Sequence, residues 1–224
     1  GVPAALARIR ARPDGFLPRA IVTNGVVLRS AFAAAAIPAG WFALLVAMPL
    51  VLAARGWSPL GIGLVLLPSA LLSLLMPYVT GAVLPRWGAE GTLAVACPVT
   101  VAVLLIAALG AQIGAPALLV VAVASLTVAF GIGQPAMIVA VSGAVDEEQR
   151  GVALGVTTLL FMAGAGVGAA VVGGLGEVLG LGGALAVLAG LPVAGTLVML
   201  QQLRAAARRD LEVSAPRGDR ARSS

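Results

Sequence analysis

The composition of the 224-residue chain excludes a water-soluble globular domain. Hydrophobic residues make up 60% of it and charged residues only 10%, whereas soluble domains carry about 45–50% apolar and about 25% charged residues. There is no histidine, and Cys97 is the single cysteine, so an intramolecular disulfide and a cysteine metal cluster are excluded. The lipid bilayer is therefore the expected environment, and no cofactor is expected.

Six uncharged apolar stretches follow one another along the chain. A helix rises about 1.5 Å per residue, so about 20 residues cross a hydrocarbon core of about 30 Å. The sequence therefore predicts an all-α integral membrane fold of six transmembrane helices. A cytoplasmic segment at 1–28 precedes a bundle at 29–203, and a disordered, arginine-rich tail follows at 204–224. The six predicted spans are 30–54, 60–84, 91–110, 116–145, 151–176 and 181–203.

Arginine supplies every basic residue, and its distribution predicts the orientation of the spans. With six spans, only Arg55 falls on the side opposite the chain ends. Loops rich in arginine stay in the cytoplasm, so both termini are expected to be cytoplasmic in a multi-pass plasma-membrane protein. This bias also accounts for the net charge of +5 without a nucleic-acid partner. The thirteen arginines on the other side are Arg8, Arg10, Arg12, Arg19, Arg29, Arg86, Arg150, Arg204, Arg208, Arg209, Arg217, Arg220 and Arg222.

An internal repeat divides the six predicted spans into two units of three helices. A shift of 92 residues places Gly81, Gly88 and Gly91 on Gly173, Gly180 and Gly183. Because three is odd, the second unit is predicted to be inverted in the membrane relative to the first, as in many transporters. The leading helix of each unit contains glycine and proline, at 37–40 and 131–135. We therefore expect both helices to be interrupted, with carbonyl groups exposed at depth.

The predicted substrate site lies along these two leading helices. No Asp, Glu, His or Arg occurs in the middle of a span, so a cavity has only mildly polar groups to offer. Gln134 stands out because a buried amide needs partners and it lies in a Gly/Pro stretch; a hydrogen bond between helices is the alternative interpretation. Arg29, at the cytoplasmic end of span one, is expected to guard the cavity or to anchor the helix. The predicted substrate-binding residues are Gln134, Phe130, Asn24, Arg29 and Trp41.

Three motifs resemble the major facilitator superfamily. Residues 56–68 read GWSPLGIGLVLLP, residues 81–88 read GAVLPRWG and residues 146–155 read DEEQRGVALG. The chain resembles the C-terminal half of the fourteen-span drug:proton antiporter branch. This resemblance implies export of small, hydrophobic molecules by alternating access, with an N-terminal half as partner and the coupling proton carried there.

The same resemblance implies a cytoplasmic gate. Gly81, Arg86 and Gly88 match the family's glycine-rich gating motif, although Pro85 stands where the family has an Asp. Arg150 and Gly151 occupy the junction before the second-last span and are assigned to the same gate. The non-Met start of the sequence also leads us to expect a longer parent protein.

Other functions remain open at this point. Uptake of a metabolite by another branch of the superfamily and a non-transporting membrane scaffold are both compatible with the sequence. A membrane enzyme is disfavoured, because it needs convergent nucleophiles, carboxylates or metal ligands. The only acidic cluster is 146–148, which reads as a solvated loop and helix start.

Overall fold

The computed structural model describes residues 23–214, and within that range it is helical with no β-strand. Side chains are described for residues 23–208. The helices are α1 (Gly25–Ala53), α2 (Pro59–Ser73), α3 (Met76–Ile113), α4 (Pro116–Gly143), α5 (Glu147–Leu188) and α6 (Gly190–Ser214). Four helical runs of the described part, 25–53, 76–113, 116–143 and 147–208, are long and apolar enough to cross a membrane, while α2 is apolar but shorter. The predicted all-α membrane architecture is confirmed at this level.

Polar residues and prolines start the helices. The Asn24 side chain accepts hydrogen bonds from the backbone N–H groups of Val26 and Val27, at 3.0 and 3.2 Å, and so caps α1. Ser58 Oγ accepts from the N–H of Gly61 at 3.1 Å, and Pro59 stands at the first turn of α2. Capping side chains satisfy backbone donors that have no partner within the helix. Helix α1 therefore begins four residues before the predicted boundary at residue 29.

The backbone departs from helical geometry at two glycines inside long helices. Gly88 in α3 has φ +67° and ψ 173°, and Gly180 in α5 has φ +72° and ψ 162°. Only glycine adopts this region of backbone space without substantial strain. The breaks divide α3 into 76–87 and 89–113, and α5 into 147–179 and 181–188. Gly88 and Gly180 are also the pair that the 92-residue shift superimposes.

The predicted interruptions of α1 and α4 are not found in the backbone angles. Both helices continue through their internal prolines, Pro38, Pro49 and Pro135. A proline lacks the N–H that would bond the carbonyl four residues earlier, which for Pro135 is the carbonyl of Gly131. The hydroxyl of Thr80 in α3 donates to that carbonyl at 3.1 Å. A neighbouring helix thus satisfies the carbonyl that the proline leaves free, and α4 remains regular.

Helix α1 lies at the centre of the bundle and packs against α3, α4, α5 and α6. Its closest approach is to α5. A methyl group at Gly164 would overlap the backbone carbonyl of Ala35, and one at Gly168 would overlap that of Ala39. Small residues four apart let two helical backbones approach closely in lipid. Gly164 and Gly168 therefore allow the close packing of α5 on α1.

The C-terminal end differs from the expected tail. Helix α6 continues to Ser214, eleven residues into the segment 204–224, while residues 215–224 lie outside the described part. Residues 205–207 are three consecutive alanines. Alanine has the highest intrinsic helix propensity, so the helix can extend past the last apolar span even though its sequence becomes charged.

Candidate functional site

Three aromatic rings meet near the middle of α1, α4 and α5. The ring centroids of Trp41 and Phe130 are 5.9 Å apart, and those of Phe130 and Phe161 are 5.5 Å apart. Phe161 is fully buried, whereas Trp41 and Phe130 are half-buried. Tilted ring pairs at these separations attract each other beyond their buried area. Trp41, Phe130 and Phe161, termed the aromatic cluster below, lie about halfway along the length of their helices.

Gln134 lies one turn beyond Phe130 on α4, on the same side of the helix. It is half-buried, and its amide makes no hydrogen bond to any residue of the described part of the chain. Gly131 and Gly133 on the same turn are in close contact with Met76 and Ile37. These contacts hold this turn of α4 against α1 and α3. The Gln134 amide, with two N–H donors and a carbonyl acceptor, is therefore free to bind a ligand.

Asn24 and Arg29 are not brought to this cluster. Asn24 precedes Trp41 by 17 residues, or about 25 Å of helix, and Arg29 precedes it by 12 residues, or about 18 Å. In addition to capping α1, Asn24 donates from Nδ2 to the carbonyl of Ala144 at 2.8 Å. Its amide thus ties the start of α1 to the end of α4. Arg29 is exposed and makes no ion pair with the described residues.

A small polar cavity of about 280 Å³ lies beside Asn24. Its lining comes from the end of α4 and the start of α5, including Asp146 and Gln149. The cavity is at the end of the bundle where α1 starts, so it is separated from the aromatic cluster by about half the helix length. Of the five predicted substrate residues, the structure brings together Trp41, Phe130 and Gln134.

The residues predicted to form the gate are spread over two elements. Gly81 and Arg86 are exposed on the first segment of α3, and Arg150 and Gly151 are exposed at the start of α5. Neither arginine forms an ion pair within residues 23–208. Glycine at position 88 is explained by the backbone, because residue 88 has a positive φ where α3 is broken. The described part of the chain therefore contains no closed charge pair between these motifs.

Phe161 is the member of the cluster that the sequence interpretation missed. Residues 159–163 are all apolar, so no adjacent polar side chain marks Phe161 as a member of the cluster. Its only signal is helical phase: Gly164, three residues later, packs against α1. The face of α5 that carries Gly164 must therefore point toward α1, and Phe161 lies on that face.

The opposite face of α5 has no neighbour within the described chain. Methyl groups at Gly151, Gly155, Gly166 and Gly173 would meet nothing within 4 Å. These glycines are separated by 4, 11 and 7 residues, close to whole numbers of helical turns, so they form one stripe, termed the open face of α5. Leu159 on this helix is 72% exposed, and a shallow apolar cavity of about 610 Å³ runs along residues 151–159.

Helix α2 is also largely uncovered. Ser69 is its only buried residue, and its apolar side chains are exposed, with Leu60 at 73%. Contiguous exposed apolar surface of this kind contacts lipid or another protein. Helices α2 and α5 therefore both present apolar faces that are not used inside the described bundle.

Comparison with protein families gives one match. The sequence model described as the Major Facilitator Superfamily matches residues 2–169, which is 168 of the 224 residues. No curated protein matches the chain, and no solved structure matches it.

Proposed function

The chain belongs to the Major Facilitator Superfamily of membrane transporters, and on this premise we propose that it is one six-helix half of an exporter of small hydrophobic molecules. Transporters of this superfamily consist of two six-helix halves, each built from two inverted three-helix repeats. The aromatic cluster and the free amide of Gln134, together at mid-length and without a charged group beside them, carry the proposal. The other features below support its parts.

The backbone breaks at Gly88 and Gly180 support the proposal of six spans. When 59–87 is counted as one segment across the turn at residues 74–75, and 181–208 as one segment across residue 189, the breaks divide the described chain into α1, 59–87, 89–113, α4, 147–179 and 181–208. Each of these is long enough to cross a bilayer. Gly88 ends the second of them and Gly180 ends the fifth, with closely similar backbone angles. The equivalence of these two positions supports a repeat of three helices.

Contacts between helices recur under the same 92-residue shift. Gly168 is in close contact with Ala39, and Met76 is in close contact with Gly131. The 92-residue shift relates Gly168 to Met76 and Ala39 to Gly131, so the two contacts are equivalent. Similarly, Gln202 Nε2 donates to Glu90 Oε1 at 2.7 Å. The shifted counterpart of that pair is Gly110 with Gly182. A methyl group at Gly182 would in fact lie 2.8 Å from the carbonyl oxygen of Ala108 and 2.6 Å from Cγ of Gln112, on either side of Gly110. In an inverted repeat, a contact between the two units recurs with the roles of the units exchanged, as these pairs of contacts do.

The contacts also sort the helix ends into two groups. Asn24 meets Ala144 at one end of the bundle, and Glu90 meets Gln202 near that end. At the other end, the Arg55 side chain lies against Gly114. By the positive-inside bias, the first end is assigned to the cytoplasm and the second to the outside of the plasma membrane. Both chain termini are then cytoplasmic.

The chemistry of the cluster favours apolar substrates. Rings of Trp41 and Phe130 offer an apolar surface that also attracts cations through its π-face, and Gln134 adds one amide for orientation. The described residues place no titratable group next to these side chains. We therefore assign the coupling proton to residues outside this cluster, in the N-terminal half. That half is the partner proposed to cover α2 and the open face of α5.

Cysteine labelling tests the substrate path. In a full-length transporter containing this chain, with Cys97 replaced by Ala, single cysteines are placed at Gln134 and at Leu105. Leu105 is 49% exposed on the 89–113 segment of α3. Because we propose that this segment spans the membrane, Leu105 is expected to contact lipid and not water, which makes it a matched control. A water-soluble thiol reagent is expected to label position 134, and substrate is expected to protect it. Labelling at 105 without labelling at 134 in any transport state contradicts the assignment.

Flux measurements test the half-transporter role. The isolated chain, reconstituted in vesicles, is expected to give no saturable, proton-driven flux, because the partner half and its coupling group are absent. Co-reconstitution with the N-terminal half is expected to restore flux. Saturable transport by the isolated chain would instead require an oligomeric transporter.

A further inference from the structure

A cleft of about 370 Å³ opens at the end of the bundle opposite the start of α1. It lies between the end of α1, the end of α3 and the backbone around the Gly180 break. Arg55 and Gln112 are the two polar side chains in its lining, and the other lining residues are apolar or glycine. Neither side chain has a role in the substrate path proposed above.

The Arg55 guanidinium is held beside this cleft by its packing on Gly114. A methyl group on Gly114 would lie 2.7 Å from Nη2 and 3.2 Å from Cζ of Arg55. Gly114 also has φ +79°, a backbone angle that favours glycine, and the absence of a side chain there leaves room for the guanidinium. Arg55 forms no ion pair within residues 23–208. A planar guanidinium with unused donors is the group that proteins most often use to bind carboxylate or phosphate.

Gln112 is placed next to the cleft by packing against the Gly180 break. Its Cγ atom lies 2.6 Å from where a methyl group at Gly182 would stand. The amide of Gln112 makes no hydrogen bond within the described residues, so its N–H donors remain available. A guanidinium and a carboxamide therefore border one cleft, and no carboxylate is among the residues that line it.

We propose that this cleft binds a phosphate-type oxyanion through Arg55 and Gln112. The inference rests on the topology proposed above, which places the cleft at the outer surface of the membrane. The proposed oxyanion site does not require transport activity, so binding measurements alone can support or contradict it. A phospholipid headgroup and free inorganic phosphate supply the same chemistry.

The test uses the purified chain in a phosphate-free, non-ionic detergent. A ligand that binds the folded state raises the unfolding midpoint with its concentration. One arm titrates sodium phosphate against sodium chloride at equal ionic strength. The other arm titrates dioleoylphosphatidylglycerol against dioleoylglycerol, which lacks the phosphate. The variants are Arg55→Gln, Arg55→Lys and Gln112→Leu, with Arg208→Gln as an exposed arginine at the far end of the bundle.

We expect Arg55→Gln to raise the half-saturating concentration about tenfold, since it removes a charge-assisted bidentate contact. Arg55→Lys keeps the charge and is expected to bind with intermediate strength, Gln112→Leu is expected to weaken binding less than Arg55→Gln, and Arg208→Gln is expected to match the unmodified chain. A shift with the phospholipid alone assigns a headgroup, and one with phosphate alone assigns a free anion. No shift with either probe, or equal losses in Arg55→Gln and Arg208→Gln, overturns the proposal.

Discussion

Helix α5 has two faces that use glycine in opposite ways. On one face, Gly164 and Gly168 are buried against the carbonyl groups of Ala35 and Ala39, with no room for a methyl group. On the open face, Gly155 and Gly166 have no neighbour within 4 Å. The sequence is equally rich in glycine on both sides, so composition does not separate them. Only the first face is explained by packing within the described chain, and the second is the face on which we propose that the N-terminal half packs.

The largest expected effect is at the packed face. Gly168→Ala places a methyl group on the Ala39 carbonyl, so the helices must separate, and overpacking of this kind costs up to about 3 kcal/mol. We expect a clear drop in the unfolding midpoint measured by circular dichroism in detergent. The matched control is Gly166→Ala, for which alanine is the better helix former and no loss is expected. Equal losses at 166 and 168 would remove the distinction between the two faces.

The two backbone breaks are expected to come next. At Gly88 and Gly180 a methyl group meets no atom within 4 Å, so an alanine is penalised only by its backbone angles, by about 1–3 kcal/mol. Because the two glycines adopt closely similar angles, Gly88→Ala and Gly180→Ala are expected to lower the midpoint by similar amounts. Gly81→Ala, in a regular helical segment with open space, is the control and is expected to be neutral. Very different losses at 88 and 180 would argue against their equivalence.

A smaller effect is expected at the proline of α4. Thr80→Val removes the hydroxyl that bonds the Gly131 carbonyl, and one such hydrogen bond contributes about 1 kcal/mol. In a Pro135→Ala background, residue 135 regains the N–H that bonds the same carbonyl. Thr80→Val is then expected to cost less there, which a double-mutant cycle of unfolding midpoints measures. Thr158→Val on the exposed surface of α5 is the control, and equal costs in the two backgrounds would contradict the role given to Thr80.

The smallest effect on the isolated chain is expected at the open face. Gly155→Leu adds a side chain that meets no neighbouring atom, and leucine is a better helix former than glycine, so no decrease in the unfolding midpoint is expected. The same substitution in a full-length transporter is expected to lower the transport rate, because the partner half must pack on this face. Unchanged transport would show that Gly155 is directed toward lipid.

The sequence predicted the helices well because a bilayer leaves few alternatives. Uncharged stretches of sufficient length must be helical in lipid, and each of the six predicted stretches is helical over most of its length. Helix ends were less predictable. The separation of α2 from α3 rests on hydrogen bonds of Leu74 and Leu75 to carbonyls three residues earlier, and no glycine or proline occupies either position. Such a tightening of a helical turn has no compositional signal.

Within the candidate site, the predictable residues were those that differ from their surroundings. Gln134 is the one polar side chain of residues 131–135, and Trp41 and Phe130 are aromatic residues next to the Gly/Pro stretches of the two leading helices. Phe161 was missed because a helix that is apolar all round has no hydrophobic stripe from which its inner face can be read. The prediction that proline interrupts α4 was wrong for a related reason. Thr80, which bonds the carbonyl left free by Pro135, lies 55 positions away in sequence.

The lack of charge in the middle of the spans also bears on how the protein is made. A charged residue at the centre of a membrane helix costs about 2.5–3.5 kcal/mol during insertion, and none of the six proposed spans has a charged residue at its centre. Each helix can therefore enter the bilayer before its neighbours arrive, and association of the helices follows as a separate stage. Substitutions such as Gly168→Ala act on the second stage only. We expect such variants to accumulate in the membrane with normal topology while failing to assemble, so abundance alone will not reveal the defect.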